Sequence, residues 1–322
     1  MTQDKNILWP SELSVLSEDE KKSLTDKHLQ SYKVLLSHES IPTSDTNINL
    51  LTELYIPFTH WLAQQSPRPF VLGINGAQGS GKTTFTKIIQ QLLTDEYGKS
   101  VVSISIDDLY LTKAERINLS ETVHPLLATR GVPGTHDIEL GTNILQRLKK
   151  TNGAPLSIPT FNKALDDRNK QDDWQSIDKC PDIILFEGWC VGATAEHRSS
   201  LLEPINTLEA HEDASGQWRE YVNKQLKGGY ARCFSEIDEL IMLKIPSYNK
   251  VLEWRTLQEN KLKKSVRHSS GQYTCMSEQE IKRFIMFFER ITRNTLKAPS
   301  SRARFIFEID TRHSITRTHY NQ

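Results

Sequence analysis

Residues 76–84 read GAQGSGKTT, and their types and spacing are those of a binding site for a phosphate chain. The pattern is G-x-x-x-x-G-K-[ST], in which glycines let successive backbone N–H groups turn towards one anion. Lys82 supplies a positive charge for the terminal phosphates, and the Thr83 hydroxyl is a ligand for Mg²⁺. The sequence therefore predicts a nucleoside triphosphate site. Its predicted contacts are Gly76, Ala77, Gln78, Gly79, Ser80, Gly81, Lys82, Thr83 and Thr84.

The segments on either side of this loop fit the same prediction. An apolar run at residues 70–74 indicates a buried strand, and apolar residues at helical spacing from Phe85 to Leu93 indicate a helix. The positive end of that helix points at the loop, where an anion is stabilised. A dinucleotide-binding turn is excluded because the glycines fall as G-x-x-G-x-G and such a site has no need of Lys82.

Four further short, apolar runs, at residues 100–106, 182–186, 240–245 and 304–309, predict a parallel sheet covered by helices on both faces. Ligands of such sheets bind at the carboxyl ends of the strands. The polar residues expected at this edge are Lys82, Asp107, Asp108, Glu187 and Asp310.

The carboxylates at this edge suit phosphoryl transfer to a hydroxyl group. Asp107 is placed to take the proton of an attacking hydroxyl, and Asp108 could hold Mg²⁺ through water. Glu187 ends a strand where a Mg²⁺-binding acid is common. The alternatives are that the two aspartates cap a loop and that Glu187 caps the Gly188 turn.

Two loops between the second and third predicted strands mix turn formers with cations. They are RGVPGTHD at 130–137 and PTFNKALDDR at 159–168. Arg130, Lys163 and Arg168 could pair with a carboxylate or phosphate of an acceptor, or be ordinary solvent-exposed charges.

Arg255 lies on a predicted helix at residues 249–264. It could reach over the triphosphate as part of a lid, or make only an i,i+4 pair with Glu259.

Composition limits the class of protein. Of 322 residues, 40 are Lys or Arg and 40 are Asp or Glu, so the balance gives no reason to expect a nucleic-acid partner. The four cysteines form no C-x-x-C pair, and no apolar segment reaches membrane-spanning length. The N-terminus does not resemble a signal peptide, so we expect a cytoplasmic protein without a membrane partner. Monomer and homodimer both remain open.

The chain divides into two predicted regions. Residues 1–69 are polar with weak helical signals, and we expect a helical extension that packs on the core. Residues 70–322 hold the predicted strands and all the candidate site residues, so they form the nucleotide-binding domain.

Taken together, these segments resemble the P-loop kinases related to uridine kinase, pantothenate kinase and phosphoribulokinase. More narrowly, they resemble the plant-type D-glycerate 3-kinase group and its fungal and bacterial relatives. The matching stretches are GAQGSGKTT (76–84), SIDDLYLT (105–112), RGVPGTHD (130–137), PTFNKALDDR (159–168), EGWCVG (187–192), YVNKQL (221–226), VLEWRTLQE (251–259) and FERITRNTL (288–296). One residue departs from the family pattern, since Asn162 stands where P-x-F-D-K-A has aspartate.

The resemblance implies a three-layer α/β P-loop fold whose five-stranded parallel sheet has the order 2-3-1-4-5. It also implies ATP and Mg²⁺ as cofactors, with catalytic roles for Lys82, Asp107 and Arg130 and metal contacts from Thr83 and Glu187. Arg255 joins the nucleotide contacts. The residues expected to contact the acceptor are Asp108, Tyr110, Arg130, His136, Asp137, Lys163 and Arg168.

The function that follows is ATP-dependent phosphorylation of a hydroxyl on a small metabolite, with D-glycerate as the best guess and 3-phosphoglycerate as its product. A nucleoside, pantothenate or a sugar phosphate is the alternative acceptor. A nucleotide-dependent regulatory ATPase is a hypothesis of another class. The sequence speaks against a guanine-specific switch, because residues 162–165 break the pattern N-K-x-D.

Overall fold

The computed structural model describes residues 8–13, 15–150, 153–266, 276–297 and 302–321. Cys275 lies outside these ranges. The α-helices of the described residues are α1 (Glu18–His38), α2 (Asp45–Leu50), α3 (Ile56–Ala63), α4 (Lys82–Tyr97), α5 (Lys113–Thr122), α6 (Ile138–Leu148), α7 (Thr207–Glu212), α8 (Gln217–Gln225), α9 (Ala231–Phe234), α10 (Asn249–Val266) and α11 (Glu278–Lys297).

The β-strands of the same residues form one large sheet and two small antiparallel pairs. They are β1 (Phe70–Gly76), β2 (Val101–Ser105), β3 (Leu156–Ile158), β4 (Phe161–Asn162), β5 (Asp167–Arg168), β6 (Gln175–Ile177), β7 (Ile183–Gly188), β8 (Glu239–Lys244), β9 (Ala303–Ile309) and β10 (Ile315–Tyr320). The small pairs are β3 with β6 and β4 with β5.

The large sheet has the strand order β10-β9-β8-β1-β7-β2. Its strands pair in parallel except for β10, which runs antiparallel to β9. The parallel strands lie in the order that the resemblance implies, but the sheet has six strands and the prediction of five is corrected. The sequence hides β10 because only its first residue, Ile315, is buried, so it lacks the apolar run of the other strands.

The turn between β9 and β10 uses Asp310, which was expected at the site. Its backbone N–H donates to Ser314 O, and its carboxylate accepts from the backbone N–H groups of Arg312 and Ser314. Asp310 therefore caps a tight turn in the structure.

Apolar side chains alternate between the two faces of the sheet. Val71 and Ile184 belong to a hydrophobic cluster with residues of α6, α8 and α11. Their neighbours Leu72 and Leu185 belong to a second cluster with residues of α1, α3, α4 and α10. Helices thus cover both faces, and this arrangement leaves the carboxyl ends of the parallel strands to carry polar residues.

The helices before β1 share the second cluster. Trp9 stacks on Phe305 of β9 with 5.1 Å between ring centroids, and Phe58 of α3 lies edge-on to Phe85 of α4 at 5.6 Å. Pro57 is accommodated because a π-helical turn, Leu51–Tyr55, joins α2 to α3 and places Pro57 in the first turn of α3. None of the helices formed by the described residues is long and apolar enough to cross a membrane.

Candidate active site

The loop between β1 and α4 has a backbone that glycine makes possible. Gly79 and Gly81 have φ of +79° and +87°, in the left-handed region. A Cβ on Gly76 would lie 2.5 Å from Ser80 Oγ, so this position has no room for a side chain. The glycines of the motif therefore set the curl of the loop ahead of α4.

The loop also has polar groups that fit a phosphate chain. The hydroxyl of Ser80 is buried, and within the described residues it has no hydrogen-bond partner. Lys82 is half-buried and donates from Nζ to Ala77 O at 3.2 Å. An anion bound here would give both side chains charge-assisted partners.

Lys82 lies among opposing electrostatic influences. Burial lowers the pKa of its ammonium, while the carboxylates of Glu187 and Asp107 act in the other direction, and the net direction is downward. Lys82 and these two carboxylates are therefore close enough to interact. This is the grouping that the strand-end argument predicts.

Thr83 and Thr84 differ in their surroundings. Thr83 is exposed at the start of α4. Thr84 donates from Oγ1 to Glu39 Oε2 at 3.3 Å, and Lys87 pairs with the other oxygen of Glu39 at 2.6 Å. The side chain of Thr84 thus joins α4 to the end of α1, and its nucleotide contact stays a prediction.

Glu187 is the penultimate residue of β7, paired in register with Ile74 of β1 and Ser105 of β2. Burial raises the pKa of its carboxyl group, and Asp107 adds to this effect while Lys82 opposes it. The described residues contain no group of three or more His, Cys, Asp or Glu side chains that could hold a metal ion. A Mg²⁺ ion here would take most of its ligands from phosphate and water, which is usual for this ion.

Asp107 lies in a 3₁₀ turn, Ile106–Leu109, directly after β2. Its Oδ2 accepts from Lys163 Nζ at 2.8 Å, and its Oδ1 accepts from the Tyr110 hydroxyl at 2.9 Å. Burial favours the neutral acid, but the Lys163 charge and the two hydrogen bonds outweigh it and hold the pKa of Asp107 below its usual value. Asp107 is therefore an ionised, anchored carboxylate.

Asp108 faces a different partner. Its Oδ1 accepts from the backbone N–H of Phe161 at 3.2 Å, which ties the turn to the β4–β5 hairpin. Burial raises the pKa of Asp108 to about 6, and the nearby charge of Asp107 adds to the effect. The two adjacent aspartates thus have their pKa values shifted in opposite directions.

Arg130 is held by the β4–β5 hairpin. Its guanidinium donates to Asp166 Oδ1 and lies over the Phe161 ring, with Cζ 5.3 Å from the centroid. Asp166 has φ of +56°, and its backbone carbonyl and carboxylate both contact Arg116, whose side chain is only 1% exposed. The hairpin tip is thereby fixed between two arginines.

His136 and Tyr110 form a stacked pair with ring centroids 4.6 Å apart. His136 Nδ1 lies 2.5 Å from the hydroxyl of Tyr230, and Nε2 is buried with no partner among the described residues. Burial lowers the pKa of His136 to about 3, so its imidazole is neutral at physiological pH.

Arg168 and Asp137 are engaged with each other. Arg168 donates from Nη1 to Asp137 Oδ2 at 3.3 Å and from Nε to Tyr110 O at 3.0 Å. The other carboxylate oxygen of Asp137 accepts from Leu140 N and caps α6. These contacts hold the Tyr110 turn against α6, and acceptor contacts by Arg168 and Asp137 stay predictions.

Asn162, the departure from the family pattern, shapes its own loop. Its Oδ1 accepts from the backbone N–H groups of Ala164 and Leu165, each at 3.1 Å. A carboxylate oxygen at the same position could accept both bonds. The exchange of aspartate for asparagine therefore leaves the local turn intact.

Arg255 makes the i,i+4 pair with Glu259, which was the alternative to a role in a lid. Its Nη2 lies 3.3 Å from Glu259 Oε2 within α10, and its Cζ lies 5.8 Å from the centroid of Phe284 on α11. Its role towards a nucleotide stays a prediction.

Three residues of this region were not singled out from the sequence: Arg116, Asp166 and Tyr230. Asp166 lies in a stretch that carries the resemblance, so it could have been selected. Arg116 and Tyr230 lie at a distance along the chain from the motifs they contact, 50 residues from Asp166 in one case and 94 from His136 in the other. Nothing in their immediate neighbours in sequence marks them.

The sequence was compared with protein-family models, and no family model matches. It is 31% identical over 254 residues to the uncharacterized kinase mug58 of Schizosaccharomyces pombe, a match that covers 74% of this chain and 86% of that protein. It is 30% identical over 225 residues to the chloroplastic D-glycerate 3-kinase of Arabidopsis thaliana, covering 67% of this chain and 45% of that enzyme. In structure, the D-glycerate 3-kinase of Cryptococcus neoformans has a TM-score of 0.64 at 22% identity, covering 92% of this chain and 99% of that one.

The sheet, the phosphate-binding loop and these relatives define a P-loop kinase that acts on a small molecule. Within that class, the chain belongs to the kinase family that contains mug58 and lies near D-glycerate 3-kinase. The resemblance stated from the sequence motifs is confirmed.

Proposed function

We propose that this enzyme transfers the γ-phosphoryl group of ATP to a hydroxyl of D-glycerate and forms 3-phosphoglycerate. The observation that carries the proposal is the position of the Asp107 carboxylate. It is held by Lys163 and Tyr110 directly after β2, at the carboxyl edge of the sheet where β1 leads into the phosphate-binding loop. The proposed base thus lies at the same edge as Lys82, which the proposal pairs with the terminal phosphates. The relative from Arabidopsis, a D-glycerate 3-kinase, supports D-glycerate as the acceptor.

In this proposal the nucleotide phosphates bind the loop at residues 76–83, against Ser80 and Lys82. Thr83 and Glu187 would hold Mg²⁺, which neutralises charge on the phosphate oxygens when it is bound. Lys82 stays paired with the phosphoryl group as negative charge develops during transfer.

Asp107 orients the acceptor hydroxyl and takes its proton. Its two hydrogen bonds, from Lys163 and Tyr110, leave further lone pairs on the carboxylate for the hydroxyl. The same bonds fix the plane of the Asp107 carboxylate, so its free lone pairs point in a defined direction when the acceptor binds.

The carboxylate of D-glycerate requires a cation, and the site supplies two. Lys163 has a side chain that is 62% exposed, so its ammonium can reach an anion beside Asp107. Arg130 keeps donors for a ligand because a guanidinium has five N–H groups. In the described part of the chain, the Asn162 side chain caps its own turn as an aspartate could, so it gives no reason to reject this acceptor.

An ATP-consumption screen tests the proposal, with D-glycerate as the first compound and pantothenate, nucleosides and sugars after it. We expect ADP release that depends on D-glycerate, with 3-phosphoglycerate identified by ³¹P NMR. The Lys82→Ala variant is the control for contaminating kinases.

If another compound stimulates ADP release and D-glycerate does not, the protein is a kinase for that compound and D-glycerate is not its acceptor. ATP turnover that no small hydroxyl compound increases would favour a regulatory ATPase instead.

A further inference from the structure

Tyr230 is a fully buried residue at the end of the π-helical turn Leu226–Tyr230. Its hydroxyl oxygen accepts from the backbone N–H of Gly134 at 3.0 Å and lies 2.5 Å from His136 Nδ1. Burial raises the pKa of the Tyr230 hydroxyl, so it keeps its proton.

The number of hydrogens on the two side chains determines which of them donates in the hydrogen bond between Tyr230 and His136. The imidazole is neutral, so only one of its two nitrogens carries hydrogen. If Nδ1 carried it, then among the described residues the Tyr230 O–H would have no acceptor and Nε2 would be a buried acceptor without a donor. If the Tyr230 hydroxyl donates to Nδ1, a single group, Nε2–H, is left to satisfy. Because each buried unpaired group is costly, the second arrangement is favoured.

We infer that Tyr230 is a positioning residue of the acceptor site, which fixes His136 as the tautomer with hydrogen on Nε2. His136 then offers a buried N–H donor, without a partner among the described residues, to an oxygen of the acceptor. The stack with Tyr110, which itself donates to Asp107, joins this donor to the proposed base. The inference rests on the proposed function only in its last step, the binding of the acceptor.

The ligand chemistry that this donor selects is an oxygen with an available lone pair, as in a carboxylate or a hydroxyl group. A neutral N–H discriminates against a compound that lacks such an oxygen, because the donor would stay unpaired. It does not require a negative charge, and in this respect it differs from Lys163 and Arg130.

NMR of the ligand-free chain labelled with ¹⁵N-histidine tests the tautomer directly. The chain has 10 histidines, so the His136→Gln variant assigns the resonances. We expect hydrogen on Nε2 and a bare Nδ1 at neutral pH, and mixed tautomers in Tyr230→Phe. Hydrogen on Nδ1 in the wild type would overturn the inference, whatever the enzyme phosphorylates.

Kinetics with D-glycerate and ATP test the link to the acceptor. Tyr230→Phe should raise the KM for D-glycerate roughly fivefold to tenfold, as for one lost hydrogen bond, with the KM for ATP unchanged. Tyr221→Phe is the matched control, because Tyr221 packs against the same Gly134, and its kinetics should stay at the wild-type values.

An equal rise in both KM values for Tyr230→Phe would show a loop defect and overturn the positioning role. If the tautomer is as expected but the wild type does not phosphorylate D-glycerate, the proposed function fails. The inference that Tyr230 fixes the tautomer of His136 then still stands.

Discussion

Lys163 Nζ lies 2.8 Å from Asp107 Oδ2, so an exposed cation is paired with the carboxylate that we propose as the base. Asp107 directly follows β2 at the edge of the sheet, whereas Lys163 lies at the tip of the β4–β5 hairpin. The pair therefore joins the sheet edge to a loop 56 residues further along the chain. Its charge keeps the base ionised despite burial.

Replacing Asp107 by asparagine removes the proton acceptor and keeps the size of the side chain. We expect kcat with D-glycerate to fall by roughly two or more orders of magnitude, as for loss of a general base. Steady-state kinetics should show little change in the KM for ATP. A collapse of nucleotide affinity with surviving chemistry would instead make Asp107 a metal-binding or structural residue.

Lys163→Met should change the pH dependence of the reaction. Without the Lys163 charge, burial dominates and the pKa of Asp107 rises. The acid limb of the kcat/KM profile should therefore move to higher pH, and the KM for D-glycerate should rise. A profile from pH 3 to 9 measures both, because the lowered pKa of Asp107 puts the wild-type limb at the acid end of this range. Lys113→Met, at an exposed lysine that begins α5, is the control and should leave the limb in place. An unmoved limb in Lys163→Met would separate Lys163 from the base.

The features that could be predicted from the sequence are those that depend on residues close together in the chain. The loop at residues 76–83 and the runs that became β1, β2 and β7 follow from local pattern, because glycine spacing and unbroken apolar runs have few structural solutions. The grouping of Lys82 with Asp107 and Glu187 follows from strand ends in a parallel sheet.

Side-chain direction and distant partners could not be predicted in this way. Thr84 follows a motif threonine, yet its hydroxyl bonds to Glu39, a residue of the helical segment before β1. Arg168 stays a predicted acceptor ligand, but three of its donors bond to the Asp137 carboxylate and to the carbonyls of Tyr110 and Leu109. In each case a tertiary contact, which leaves no local pattern, decides the partner.

Asp166 and Arg130 should act as one unit in binding the acceptor. Arg130→Ala should raise the KM for D-glycerate about tenfold or more, while the KM for ATP changes much less, because a charge-assisted contact to the carboxylate is lost. Asp166→Gly suits the positive φ of this position and removes the carboxylate that holds Arg130. It should raise the same KM severalfold in the wild type and have little effect in Arg130→Ala.

The double-mutant cycle has a matched control in Asp167→Asn. The Asp167 carboxylate accepts from the backbone N–H groups of Lys113 and Arg168 and has no described contact with Arg130. Its effect on KM should be the same with and without Arg130. An additive effect of Asp166→Gly would mean that Asp166 acts on the fold alone.

Lys82→Ala should abolish phosphoryl transfer and leave the fold intact, since Lys82 makes only one hydrogen bond among the described contacts. Burial of its ammonium costs stability in the ligand-free protein, so the unfolding temperature should not fall. Coupled-assay rates and thermal unfolding with and without ATP measure both effects. An active variant would remove Lys82 from the phosphate site.

Asp108→Asn should make the protein more stable above pH 6. The pKa of Asp108 is about 6 in the folded protein, above the ordinary value of 3.8, so the folded state holds this proton more tightly than the unfolded chain does. Stability from this group therefore rises as the pH falls from 6 towards 4, and at pH 8 the buried charge costs about 3 kcal/mol. Asparagine carries no charge and can still accept from Phe161 N.

Thermal unfolding at pH 8 and pH 5 measures this difference. Asp108→Asn should gain stability over the wild type at pH 8 and gain less at pH 5, where wild-type Asp108 is mostly protonated. Asp107→Asn should do the reverse at pH 8, because its lowered pKa marks an ion pair with Lys163 that stabilises the fold. A loss of stability in Asp108→Asn at pH 8 would mean that its ionised form is needed by the fold, and that burial is not the dominant influence on Asp108.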